Sequence, residues 1–231
     1  MTREVAIEQP ILDLNDRLAA DNRALLDKHK IYMLDVLASP GAGKTSLILA
    51  TIAALRDRWR IAVIEGDIAS DVDSQRIKEQ GIPAVQINTG GACHLESAMI
   101  KRALDILNLN ELDIIIVENV GNLVCPTDFY LGEDAKVMIL SVPEGHDKPL
   151  KYPGVFQVAK AVLLNKIDTL NVFNFDERQF KEDVGRLNPQ ATIFPVVAAG
   201  EQGGKGITAW SQWLCAQIEQ KSSGGGCSVR Q

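Results

Sequence analysis

Apolar residues in this chain come in short, nearly unbroken runs, separated by longer stretches in which they recur at helical spacing. The runs cover residues 31–37, 60–65, 84–87, 114–117, 137–142, 161–164 and 192–197. Several have too little polar alternation for a strand with one wet face, so they predict central parallel strands covered on both sides. Between or beside them, residues 44–56, 71–80, 95–107, 176–187 and 207–220 have the 3.6-residue spacing of helices. A further helical pattern, residues 11–28, has Ile11, Leu14, Leu18, Leu25 and Leu26 on its apolar side. Strands alternating with helices predict an α/β fold with a doubly wound, mostly parallel sheet and a short helix in front of it. The expected organisation is a helical extension at 1–30, one α/β domain at 31–220 and a flexible tail at 221–231. In such a sheet, functional residues belong in the loops after the strand C-termini.

Composition narrows the class. The chain has 231 residues, 46% of them hydrophobic, enough for a single core. Its net charge is −6 and it has no long basic run, so nucleic acid is not an expected partner. No run reaches the ~20 apolar residues needed to cross a bilayer, and the N-terminus does not read as a signal peptide. The four cysteines are sparse and irregularly spaced, which fits a reducing cytoplasm better than a disulfide scaffold. Cys227 sits one position too early for prenylation.

The loop after the first strand reads Ala38-Ser39-Pro40-Gly41-Ala42-Gly43-Lys44-Thr45-Ser46. This is the phosphate-loop pattern, with Ala38 in place of its first glycine. Gly41 and Gly43 let the backbone curl so that successive N–H groups, including those of Ala42 and Ser46, face phosphate oxygens. The following helix adds its N-terminal dipole. Lys44 brings a positive charge to the β and γ phosphates, and the Thr45 hydroxyl is a ligand for Mg²⁺. Asp67 after the second strand and Glu118 after the fourth are candidate carboxylates for the same Mg²⁺, directly or through water. Glu118-Asn119-Val120-Gly121 resembles the D-x-x-G switch of GTPases, with the Gly121 amide at the γ-phosphate. Asp71 and Asp73 are weaker candidates. No water-orienting glutamine or arginine finger is evident, which predicts slow intrinsic hydrolysis.

Base choice is written about 120 residues further on, in Asn165-Lys166-Ile167-Asp168. A carboxylate at Asp168 accepts both the N1–H and N2–H of guanine, a pair that adenine lacks, so GTP and GDP are the expected nucleotides. The Lys166 stem would pack along the base, and the backbone of Ala198, in a later loop, is a candidate for guanine O6.

Cys93 and His94 precede the helix near Leu95, and Cys125 follows the switch segment. Two thiols and an imidazole suit Ni²⁺ or Zn²⁺, although small buried cysteines would look the same in sequence. Three ligands leave a position for water, a partner's amine or a second subunit. His29 and His146 read as surface residues and Cys215 as a core residue on a helical face. If Cys93, His94 and Cys125 do bind metal, nucleotide state has a short route to them. Cys125 lies only four residues beyond Gly121, at most ~14 Å of extended chain.

Together these residues resemble the hydrogenase nickel-incorporation GTPases, the hydrogenase maturation factor B family of SIMIBI-class G proteins. The resemblance spans nearly the whole chain. It rests on Asn15-Asp16 and Asn22-Arg23, on Ser39-Pro40-Gly41 and on Gly66-Asp67-Ile68. Further support comes from Gly91-Ala92-Cys93-His94-Leu95 and from Glu118 through Pro126. Glu144-Gly145, Asp147 through Pro153, and Asn165 through Asp168 complete it. It implies a homodimer that forms or tightens with GTP, with Cys93, His94 and Cys125 at the dimer interface. It also implies nickel delivery, with the zinc-binding hydrogenase maturation factor A, to the precursor of the [NiFe]-hydrogenase large subunit. Two positions depart from the family pattern. The N-terminus has neither a Cys-x-x-Cys-Gly-Cys motif nor a His-rich tract, and Val197-Ala198-Ala199 replaces the usual Ser-Ala guanine loop. A urease- or cobalamin-enzyme-type metallochaperone GTPase, or a metal-storage module with weak turnover, are the alternatives.

Overall fold

The fold is described from a computed structural model, which covers residues 9–66, 77 and 79–223. Seven parallel strands form one sheet: β1 (Tyr32–Ala38), β2 (Ile61–Glu65), β3 (Ala84–Gln86), β4 (Ile114–Glu118), β5 (Ala135–Ser141), β6 (Ala159–Asn165) and β7 (Thr192–Pro195). Their order is β3-β2-β4-β1-β5-β6-β7. All seven correspond to the apolar runs of the sequence, and the expected doubly wound architecture is present. The chain builds outward from β1 in both directions, so the crevice above its C-terminal end is the topological switch point where such sheets bind ligands.

β1, β2, β4 and β5 are buried along their whole length. Helices cover both faces: α1 (Gln9–Lys28), α2 (Lys44–Leu55), α3 (Ser97–Ile106), α6 (Glu177–Leu187) and α7 (Ile207–Ser223), with two short ones, α4 (Lys148–Lys151) and α5 (Pro153–Val158). One face carries a single apolar cluster, in which Leu34, Val36, Ile116 and Ile139 pack with Ile48, Ile52, Trp210 and Leu214 of α2 and α7. Each fully buried aliphatic side chain contributes ~1.5–3 kcal/mol by leaving water.

The opposite face carries two apolar clusters. Met33 belongs to one and Leu37 to the other. Between them along β1 stands Asp35, fully buried and in register with Lys136 of β5. Their side chains form an ion pair at 3.0 Å.

The first helix differs from expectation in its buried face. Leu14 is 59% exposed, while Asn15, Ala19, Asn22 and Leu26 form the buried stripe. The reason is hydrogen bonding. The Asn15 carboxamide donates to Tyr130 O at 2.8 Å and accepts from Ser97 N at 2.9 Å. Asn22 donates to Ser97 O and Leu131 O. The two amides satisfy backbone groups that the end of α3 and the loop before β5 leave open. The helices at 148–158 are another addition, since Pro149 and Pro153 mask their periodicity. α7 runs to Ser223, three residues past the bound read from the pattern. The stretch at 71–76 and the segment from Gly224, including Cys227, lie outside the described residues.

A cluster of charges ties the first and last helices together. Arg23 of α1 and Lys221 of α7 both reach Asp134, each at 2.8 Å, and both also pair with Asp27. Asp134 in turn accepts from Met33 N at 2.7 Å. Among the described residues, no helix is long and apolar enough to cross a membrane.

Candidate nucleotide and metal site

The loop between β1 and α2 has the backbone that phosphate binding needs. Gly41 and Gly43 have φ of 77° and 100°. At Gly43 a side chain is also excluded by space, because a Cβ would stand 2.5 Å from Asn165 Nδ2. Ala38, the departure from the phosphate-loop pattern, is the fully buried last residue of β1. Lys44 and Thr45 open α2 and Ser46 follows in its first turn, so their amides belong to the unsatisfied N-terminal end of the helix. Ala42 and Lys44 are buried.

Residues far apart in sequence close this loop from the side. The Asn165 carboxamide donates to Ala42 O at 2.9 Å and accepts from Ala198 N at 3.1 Å. Lys166, itself at φ 60°, donates to Gly41 O at 2.8 Å. Asn165 and Lys166 therefore hold the phosphate loop, and Asp168 is left exposed beside it. The Ala198 amide, a candidate for guanine O6, is committed to Asn165.

The switch segment meets the loop from the β4 side. Thr45 Oγ1 donates to Glu118 Oε1 at 2.9 Å, placing a hydroxyl and a carboxylate at the head of α2. Gly121 lies so close to the loop that a Cβ would be 2.9 Å from Pro40 Cγ and 3.2 Å from Pro40 N. Gly66 N donates to Glu118 O at 2.8 Å. Asp67, which follows it, lies outside the described residues.

Cys93, His94 and Cys125 come together. Their ligand atoms all lie within 4.8 Å of one another, with Cys93 Sγ 3.4 Å from His94 Nδ1. Cys93 and His94 sit on the loop between β3 and α3, and Cys125 opens the 3-10 turn Cys125–Thr127. The hydrogen bond with Cys125, then burial, then the charge of Cys125 push the Cys93 thiol above its ordinary value. A bound cation would act the other way and favour the thiolate at Cys93. Burial pulls His94 below its ordinary value against the charge of Glu96, which favours the neutral imidazole that a metal requires. The His94 ring packs against Phe129 with centroids 3.8 Å apart and the ring planes tilted by 31°.

The remaining candidates fall elsewhere. His146 accepts from Asp176 N at 3.2 Å, and Cys215 accepts from Trp59 Nε1 at 3.4 Å while packing against the core. Sequence reasoning passed over Phe129, which packs against His94, and Asp35 and Lys136, which pair in the interior. A charge inside an otherwise apolar central strand was the available signal for the last two.

Residues 33–195 match the family described as CobW/HypB/UreG, nucleotide-binding domain. The hydrogenase maturation factor HypB of Azotobacter vinelandii is 47% identical over 213 residues, covering 92% of this chain and 69% of that protein. The HypB of Escherichia coli K12 is 45% identical over 215 residues, covering 93% and 73%. Among solved structures, HypB from Helicobacter pylori in complex with nickel superposes with a TM-score of 0.83 at 40% identity, covering 94% of this chain and 99% of that one. HypB from Archaeoglobus fulgidus also gives 0.83, at 35% identity, covering 89% and 99%. With a nucleotide loop at the switch point, a thiol–imidazole cluster beside it and these relatives along most of its length, the chain belongs to the HypB family of hydrogenase maturation factors.

Proposed function

We propose that this protein hydrolyses GTP slowly and uses the nucleotide state to hold and release nickel for [NiFe]-hydrogenase maturation. The observation that carries this reading is the segment from Glu118 to Cys125. It starts at the phosphate loop, where Glu118 is bonded to Thr45, and ends at the thiol cluster. Loss of the γ-phosphate relaxes such a segment, and a shift of Cys125 relative to Cys93 and His94 changes the affinity of the cluster. Linkage then requires metal to act back on GTP binding or dimerisation.

The roles follow from the chemistry of each group. Lys44 and the amides from Gly41 to Ser46 hold the phosphates. Asp168 reads guanine, and Asn165 and Lys166 keep the loop in shape. Magnesium fits the Thr45 hydroxyl and the Glu118 carboxylate, two hard oxygen donors 2.9 Å apart, with Asp67 as a further carboxylate. When bound, it supplies positive charge against the β and γ oxygens. Gly121, pressed against Pro40, is the natural sensor of the γ-phosphate.

Nickel is cargo here, and the donor set accepts zinc as well. The nickel complex of the Helicobacter relative supports nickel. Cys93 is exposed and Val124, next to Cys125, is 56% exposed, so the cluster opens at the surface. That supports a homodimer in which a second copy completes the coordination. The zinc-binding hydrogenase maturation factor A and the hydrogenase large-subunit precursor are the proposed partners, in the cytoplasm.

The test is a nickel titration of the protein with GDP and with a non-hydrolysable GTP analogue. Different affinities are expected, by roughly 5-fold or more; equal affinities overturn the coupling. Asp168→Asn is expected to weaken GTP and to favour xanthosine nucleotides.

A further inference from the structure

Nickel cluster and nucleotide switch are joined by more than the peptide chain between them. Below both lies a buried polar path that starts and ends at the metal-bearing loops. Leu95 N, next to His94, donates to Asn119 Oδ1 at 3.3 Å. Asn119 Nδ2 donates to Asp35 Oδ1 at 3.0 Å. The other Asp35 oxygen accepts from Lys136 Nζ at 3.0 Å. Lys136 also donates to Pro126 O at 3.1 Å, next to Cys125, and to Phe129 O at 2.9 Å. Phe129 is the residue whose ring lies on His94. A second carboxylate, Glu133, pairs with Lys136 at 3.2 Å.

Each end of this path stops one residue from a candidate ligand. Its middle, Asn119, directly follows Glu118, and its own amide is fixed to Val36 O at 3.1 Å. Asp35, Asn119, Glu133 and Lys136 are between 0% and 7% exposed. Burial pulls the Lys136 ammonium down, but Asp35 and Glu133 outweigh it and hold the group charged, above its ordinary value.

We propose that Lys136, acting through Asp35 and Asn119, is a positioning residue that transmits nucleotide state to the nickel cluster. The idea rests on the function proposed above and deepens it. A move of Glu118 and Gly121 with the γ-phosphate carries Asn119 with it. Asn119 holds the His94 loop through Leu95 N and the Cys125 loop through Asp35 and Lys136. The first link is direct and the second runs through two more side chains, so the two loops shift by different amounts and the spacing of Cys125 from Cys93 and His94 follows the nucleotide. If the pair served only to fill the core, apolar residues of similar volume would stabilise the fold as well or better. The links run instead to backbone groups beside the metal ligands.

Asp35→Asn tests this in the full-length protein. The substitution is isosteric and leaves Lys136 paired with Glu133. Whichever way the amide turns, one of its two links is lost: an oxygen facing Asn119 puts an NH₂ against the ammonium, and the reverse puts it against Asn119 Nδ2. A second variant, Glu133→Gln with Lys136→Met, removes one charge of each sign and cuts the links from Lys136 to Asp35, Pro126 O and Phe129 O. Nickel is the probe, followed by its thiolate charge-transfer absorbance and its dissociation constant with GDP and with a non-hydrolysable GTP analogue.

In the unaltered protein the two constants are expected to differ by roughly 5- to 150-fold. In both variants the ratio is expected to fall below about 2-fold, with nucleotide affinity unchanged. A variant that melts earlier yet keeps the full ratio shows a purely structural role and overturns the proposal. A ratio near one in the unaltered protein removes the coupling itself, and this inference with it.

Discussion

The phosphate loop and the thiol cluster lie at the same edge of the sheet but are built by opposite means. The loop is made of backbone and is braced by the chain's own hydrogen bonds. Its glycines hold positive φ, and Asn165 and Lys166 satisfy its carbonyls. The cluster is made of side chains from two separate loops. One thiol is exposed, and the neighbouring thiol raises its pKa. The loop therefore needs only a fitting anion, whereas thiols must give up protons to hold a cation. Under the proposed coupling, the braced site would hold nucleotide firmly and the cluster would hold metal adjustably. The backbone site has one shape, and the side-chain site has as many shapes as its two loops allow.

Breaking each side separately tests this contrast. The largest effect is expected from Lys44→Ala. Removing the phosphate-facing charge should lower GTP turnover by about 100-fold or more, read as phosphate release. Nickel binding without nucleotide should be unaltered. Unchanged turnover would place the active site elsewhere. Next is Cys125→Ser, which removes one soft donor. Even outer-shell changes cost metal sites 10–100-fold, so nickel affinity should fall by about 100-fold in a metal titration. Metal-free GTP turnover should stay the same.

The smallest effect sharpens the claim that the chain's own hydrogen bonds brace the loop. Asn165→Ala leaves Ala42 O and Ala198 N without their partner. It should cost about 1–3 kcal/mol of stability, measured by denaturant unfolding without ligand. If stability is unaffected and only GTP affinity falls, the loop is shaped by its ligand after all.

The strands were legible because a central parallel strand must be apolar on both faces, and few other structures produce such runs. The phosphate loop and the Asn165–Asp168 motif were legible because phosphate and guanine each demand particular groups at fixed spacing. Cys93, His94 and Cys125 could be named from sequence as a candidate set, but their meeting depends on the order β3-β2-β4, which no local pattern records. Asp35 and Lys136 were overlooked for a related reason. Asp35 looks like a lone exception in an apolar run and Lys136 like the charged lead-in to another, and only the β1–β5 register makes them a pair. On α1, the rule that apolar residues face inward holds for Leu26 but fails at Leu14, and it passed over Asn15 and Asn22. Asn15 and Asn22 are buried because backbone groups elsewhere in the chain need their amides.

Asp134 has a consequence of its own. Because it takes Arg23 from the first helix and Lys221 from the last, neither helix can peel away without leaving a half-buried carboxylate short of a counter-charge. Opening of the two should be cooperative, so their amides are expected to exchange with solvent hydrogen as one unit despite lying at opposite ends of the chain.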